Sequence, residues 1–155
     1  LKKGSPKARK SEVTSSSSAV PDNQANYNYL KILIAEDIKT NQILLKALLA
    51  KLFSITSVDV AENGKQAVEM ALKNQYDLIL MDLKMPTMDG LEATRILRQK
   101  GVKIPIYMLT ADVYKETQDK SQEAGADGFL KKPLETDKLT EVLDRIARNR
   151  SKFAN

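Results

Sequence analysis

The chain has 155 residues, 42% of them hydrophobic, enough for one domain with a substantial core plus a tail. It contains no Cys and no His, which excludes disulfides, thiol catalysis, Cys-type zinc sites and imidazole general bases and leaves carboxylates, hydroxyls and lysines to carry any chemistry. The net charge is +5, and residues 1–28 hold much of the surplus, with Lys2, Lys3, Lys7, Arg9 and Lys10 against Glu12 and Asp22.

Those first 28 residues also carry the serines at 15–18 together with Pro6 and Pro21. Such a composition buries too little apolar surface to fold alone, so the stretch reads as a disordered basic linker or tail. Its basic part lacks interleaved aromatics, and no nucleic-acid contact is expected of the folded domain. No apolar run approaches the ~20 residues of a membrane span and no signal peptide is visible, which predicts a cytoplasmic segment without membrane contact. The first residue is Leu rather than Met, which points to a piece of a longer chain and leaves membrane anchoring of the parent open.

From residue 29 to 150 strand and helix signals alternate. A strand over 30–35 closes on Glu36 and Asp37, and a helix follows over 41–52. Ile43, Leu44, Ala47, Leu48 and Leu52 are its expected core stripe; Leu45 and Leu49 widen that stripe, which makes Leu45, with Ile38 and Gln42, a candidate docking face for a partner helix. A strand over 55–61, the Asn63-Gly64 turn and a helix over 65–73 come next. The strand at 77–81 closes on Asp82. Pro86 and Gly90 then fix a turn in Leu83-Lys84-Met85-Pro86-Thr87-Met88-Asp89-Gly90, where Asp89 reads as a turn or cap residue, before a helix over 91–99. A fourth strand over 104–109 ends at Thr110, and a more polar helix covers 114–124. The fifth strand, 128–131, carries Phe129 and ends at Lys132-Pro133, a bond at which a cis peptide is plausible. A last helix over 136–148 places Leu139, Val142, Leu143 and Ile146 at core spacing, and residues 151–155 form a C-terminal tail. Gly101 and Gly125 fall at element boundaries. Short apolar strands joined by helices predict an α/β fold, a doubly wound (βα)5 parallel sheet.

Ligand sites in open parallel sheets lie beyond the carboxyl ends of the strands, so Glu36, Asp37 and Asp82 should meet at one point, with Thr110 and Lys132 beside them. Singly, each has a plain role as cap, strand residue or solvated charge; the shared strand ends are what make a site. Two unit charges ~4 Å apart repel by roughly 4 kcal/mol at an effective dielectric of about 20, so three gathered carboxylates call for a cation. Oxygen-only ligands point to Mg²⁺, with Mn²⁺ as the other choice.

Glu36-Asp37, Asp82 in MDLKMPTMDGLEATR, Thr110-Ala111 in IPIYMLTA and Lys132-Pro133 in GADGFLKKP together resemble the receiver domain of two-component response regulators. The resemblance covers about residues 29–150, and its wording is most similar to receivers attached to hybrid histidine kinases. It implies a flavodoxin-like sheet of strand order 2-1-3-4-5. It further implies that Asp82 takes a phosphoryl group from a phosphohistidine, and that Glu36, Asp37, Asp82 and the backbone carbonyl of Lys84 hold Mg²⁺. By the same resemblance Lys132 and Thr110 engage the phosphoryl oxygens, Thr110 and Phe129 switch conformation, and Lys84 and Asp112 tune the lifetime of the phosphorylated state. The implied partner is a histidine phosphotransfer protein or a histidine kinase domain, and the expected oligomeric state is monomeric. A stand-alone response regulator, or a degenerate receiver that only binds proteins, remains the alternative.

Two positions depart from the family pattern: Ile38, where hybrid-kinase receivers often have Asn, and Phe129, where many members have Tyr. A haloacid-dehalogenase-like phosphatase also uses an Asp nucleophile with Mg²⁺, but it needs a second Asp two residues later, where this chain has Lys84. A flavodoxin proper would need phosphate-binding and ring-stacking loops, and none is found.

Overall fold

The computed structural model describes residues 26–111 and 114–154, with side chains through residue 149. Five strands alternate with five helices: β1 (Lys31–Ala35), α1 (Lys39–Phe53), β2 (Ser57–Ala61), α2 (Gly64–Lys73), β3 (Leu78–Asp82), α3 (Gly90–Gln99), β4 (Ile106–Thr110), α4 (Lys115–Ala124), β5 (Gly128–Lys131) and α5 (Thr136–Ala154). All neighbouring strands run parallel in the order β2-β1-β3-β4-β5, the doubly wound, flavodoxin-like sheet that the sequence predicts. No helix among the described residues is long and apolar enough to cross a membrane.

Strand residues alternate between two cores because successive side chains leave a strand on opposite faces. Ile32 and Ile34 join Leu78, Leu80, Tyr107 and Leu109 under α1 and α5. Leu33 and Ala35 join Ile79, Met81, Ile106 and Met108 under α2 and α3. β1, β3 and β4 are thus covered on both sides, so truncating Leu80 to Ala would cost about 3 kcal/mol. The fourth helix is held far less firmly, since Ser121 and Ala124 alone are buried on it.

Local chemistry sets the ends of the helices. Asn63 and Asp89 cap α2 and α3, accepting from the backbone N–H groups of Gln66 and Glu92; the expected cap role of Asp89 is the one observed. Gly125 closes α4 in the left-handed region (φ 107°), which a residue without Cβ enters at no steric cost.

The first helix departs from expectation. It starts at Lys39 and buries Gln42, Leu45, Leu49 and Phe53, whereas Ile43 and Leu44 are 60% and 61% exposed and Leu52 is also exposed. Leu45 is core, at 8% exposure, so neither it nor Gln42 belongs to a docking face; of the three residues proposed for that role Ile38 alone is exposed. Apolar residues lie around most of this helix, so periodicity left its rotation open, and one position of offset turns a helix by about 100°.

Both assigned tails give up residues to the fold. Tyr27 packs edge-on against Phe53, with ring centroids 5.6 Å apart, and its hydroxyl donates to Asp144. The last helix continues through Ala154 into the assigned 151–155 tail. Strand starts also shift inward: β2 begins at Ser57 and β4 at Ile106, and Asp77 lies outside β3 with its carboxylate accepting from the Lys31 backbone N–H.

Candidate functional site

The ends of β1 and β3 bring the three acidic side chains together. Glu36 and Asp37 follow β1, Asp82 is the last residue of β3, and one oxygen from each lies within 4.8 Å of the other two. Glu36 is fully buried and Asp82 is buried, whereas Asp37 is exposed. Burial this deep is tolerated because Glu36 is tied on both oxygens: Oε2 accepts from the Ile38 backbone N–H at 3.0 Å and Oε1 from Lys132 Nζ at 3.2 Å.

Lys132, just past β5, also stands 3.2 Å from Asp82 Oδ1. One ammonium therefore pairs with two of the three carboxylates and leaves the cluster with surplus negative charge. Burial pushes the Asp82 carboxyl above its ordinary pKa, Glu36 adds to the push, and Lys132 offsets part of it. Burial works against charge on Lys132, yet Asp82 and Glu36 outweigh it and raise its pKa. The donors are all hard oxygens and the charge is under-compensated, so the cluster fits a divalent cation such as Mg²⁺.

Thr110, the last residue of β4, is buried beside these strand ends, and Lys132 follows β5 with its backbone N–H donating to the Thr110 carbonyl at 2.8 Å. The Lys132-Pro133 bond is cis. Phe129 is partly buried on β5 and lines an opening of about 290 Å³ beneath α4 together with Gln118, Ser121 and Gln122. Lys84 is exposed at the start of the loop after β3, one residue past Leu83, whose N–H is held by the Leu109 carbonyl. The structure so brings Glu36, Asp37, Asp82, Thr110 and Lys132 to one end of the sheet. Asp112 lies outside the described residues.

Gln42 was expected on a docking face and Gly64 in a turn; neither stood out from the sequence as a support of the acidic corner. The Gln42 side-chain amide, buried, donates to the Glu36 carbonyl at 2.7 Å and so supports the acidic corner from below. Gly64 touches the loop after β3. Beside the acidic cluster, an apolar groove of about 690 Å³ runs between Leu44, Leu48 and Leu52 of α1 and Pro133 and Leu134 beyond β5.

The model of the response regulator receiver domain family matches residues 32–144, most of the chain and all of these positions. The chain belongs to the response regulator receiver domain family. This receiver is 42% identical over 114 residues to the autoinducer 2 sensor kinase/phosphatase LuxQ of Vibrio parahaemolyticus, a match covering 73% of this chain and 13% of that protein. It is 40% identical over 119 residues to the two-component response regulator ORR41 of rice, covering 76% and 94%. Among solved structures, the receiver domain of a Pseudomonas aeruginosa sensor histidine kinase aligns with a TM-score of 0.69 and 35% identity, over 76% of this chain and 97% of that one; it has a magnesium ion coordinated in its active site cleft. Relatives of this receiver thus include receivers within hybrid histidine kinases, of which the chain spans a small fraction, and a regulator of about its own length.

Proposed function

We propose that this receiver accepts a phosphoryl group on Asp82 from a phosphohistidine, within a hybrid histidine kinase phosphorelay. The observation that carries the reading is the position of Asp82: buried at a strand end, within reach of two further carboxylates and 3.2 Å from a lysine ammonium. Glu36, Asp37, Asp82 and the Lys84 carbonyl would hold Mg²⁺, or Mn²⁺ in its place. The metal, when bound, would neutralise the clustered charge and orient the phosphoryl oxygens.

The side chains divide the remaining work. An Asp82 carboxylate oxygen attacks phosphorus as the imidazole nitrogen leaves, giving an aspartyl phosphate. Lys132, already paired with Asp82, turns to a phosphoryl oxygen, and the Thr110 hydroxyl donates to another. Movement of Thr110 makes room for Phe129, and the opening beneath the loosely held α4 gives β5 and α4 space to repack. Phe129 has no hydroxyl, so apolar burial alone would hold its inward position. The result is a two-state switch biased by one modification.

The apolar groove suits the partner. A histidine phosphotransfer protein or a histidine kinase domain would lay a helix along Leu44, Leu48 and Leu52, in a groove that Glu36 and Lys132 also line. The receiver would act as a monomer in that complex. Incubation with acetyl phosphate and Mg²⁺ followed by intact mass measurement tests the acceptor chemistry without any partner. One added phosphoryl mass is expected, and an unchanged mass would overturn the reading.

A further inference from the structure

The loop after β3 is pinned at several backbone points: the Leu109 carbonyl holds the Leu83 N–H at its start, and a second contact from outside holds its tip. At its base the Gly90 N–H donates to the Leu83 carbonyl at 2.9 Å, and a Cβ on Gly90 would lie 2.3 Å from the Asp82 carbonyl oxygen. Near its tip the Met88 N–H donates to the Pro86 carbonyl at 2.7 Å across Thr87, which sits at φ 71°. That three-residue turn, with a β-branched residue in the left-handed region, is a strained conformation that persists only when its surroundings hold it. The outside hold at the tip comes from α2: the Gly64 N–H donates to the Met88 carbonyl at 2.9 Å.

Only a residue without Cβ allows this approach. A Cβ on Gly64 would meet the Met88 carbonyl oxygen at 2.3 Å, the Met88 carbonyl carbon at 2.9 Å and the Asp89 carbonyl oxygen at 3.0 Å, all backbone atoms that a rotamer change cannot clear. Gly64 is in turn held by its own helix, whose first turn Asn63 caps through Gln66. The strained turn is closed at one end by Gly90 and braced at the other by Gly64, and the segment between begins with Lys84. We propose that Gly64 is a positioning residue for the metal site, bracing the Met88 carbonyl so that the loop presents the Lys84 carbonyl toward Asp82. The inference rests on the ligand role proposed above for Lys84.

The test is calorimetric titration of the intact chain with Mg²⁺, run beside thermal melts. Gly64→Ala should weaken Mg²⁺ binding ~10-fold, the scale at which residues behind metal ligands act. Asn63→Ala removes the cap without any clash, so it keeps the fold and should weaken binding severalfold by loosening the same turn. Asn74→Ala removes the exposed hydrogen bond from the Asn74 side-chain amide to the Met70 carbonyl at the other end of the same helix, where the backbone cap stays, and should leave Mg²⁺ affinity unchanged. Parent-like affinity in Asn63→Ala, with the same result in Gly64→Ala if that variant folds, would overturn the brace. Equal weakening in Asn74→Ala would also overturn it, since loss of stability would then be the cause. Failure of the parent itself to bind Mg²⁺ would sink the metal site together with the brace, whereas a binding parent beside unaffected variants would sink the brace alone.

Discussion

Lys132 Nζ stands 3.2 Å from Asp82 Oδ1, so the proposed phosphoacceptor is already ion-paired in the resting domain. The same ammonium reaches Glu36 Oε1 at 3.2 Å, and this one cation offsets part of the charge of three carboxylates. The lysine therefore has two consequences, one for the stability of the resting domain and one for the switch.

Replacing Lys132 by Ala should destabilise the metal-free domain by about 2 kcal/mol, because Glu36 is left buried without its cationic partner. Mg²⁺ should then protect the variant more than the parent, since no ammonium competes for the carboxylates. Beryllofluoride should no longer shift amide resonances near Phe129. Thr110→Ala should lose the same response through its missing hydroxyl. Full shifts near Phe129 in both variants would refute the coupling.

Asp82→Asn should show no added phosphoryl mass with acetyl phosphate. It should also raise the melting temperature of the metal-free domain at neutral pH. The folded-state pKa of Asp82 is raised above its unfolded value by burial and by Glu36, so its contribution to stability is complete below the ordinary carboxylate pKa and is lost as pH rises through the folded value. A gain of ~1 kcal/mol would appear as roughly 4 °C. Labelling of the variant at full stoichiometry, or a lowered melting temperature, would count against this account of the site.

Asp37 is the exposed member of the cluster and loses least by substitution in the folded state. Asp37→Asn should fold normally and lose most of the thermal protection that Mg²⁺ gives the parent. Undiminished protection would remove Asp37 from the ligand set.

Leu44 and Leu45 are neighbours in sequence with opposite environments, 61% and 8% exposed. Leu44→Asp should slow transfer from a phosphohistidine partner while leaving acetyl phosphate labelling intact, because a small donor needs no docking surface. Leu45→Asp should instead cost about 3–5 kcal/mol and impair both, since it buries a carboxylate in the core. Equal loss with both donors in a well-folded Leu44→Asp would refute the groove as the docking face.

Tyr27 ties the chain upstream of β1 to α5. Burial, with the hydrogen bond to Asp144 and that carboxylate's charge, pushes its phenol up to about 12. The raised folded value means that Tyr27 stabilises the domain fully below its unfolded pKa near 10 and stops doing so as pH climbs through about 12. Tyr27→Phe should therefore melt lower at neutral pH, by the ~1 kcal/mol of one part-buried hydrogen bond, and the gap from the parent should close in that alkaline window. A gap that does not change with pH would mean that ring packing on Phe53 makes the whole contribution.

The (βα)5 fold and the gathering of acidic residues were legible because both follow from local pattern. Apolar runs such as 30–35 and 77–81 can be buried on both faces only inside a parallel sheet, and whatever ends such strands gathers at one edge. Glu36, Asp37, Asp82, Thr110 and Lys132 could therefore be placed together without coordinates. The rotation of α1 could not, because Ile43, Leu44, Leu45, Leu48 and Leu49 offer nearly equal apolar faces; of the contacts that decide it, Tyr27 lies outside the helix and Gln42, whose buried amide donates to the Glu36 carbonyl, is polar and adds nothing to an apolar repeat. Nor does a pattern of residue types reveal the contact of Gly64 with Met88, since backbone meeting backbone across 24 positions carries no compositional mark. Hydrophobic periodicity encodes which face of an element is buried when one face is plainly apolar, whereas phase, long-range backbone contacts and pairing of buried charges arise only once the elements pack.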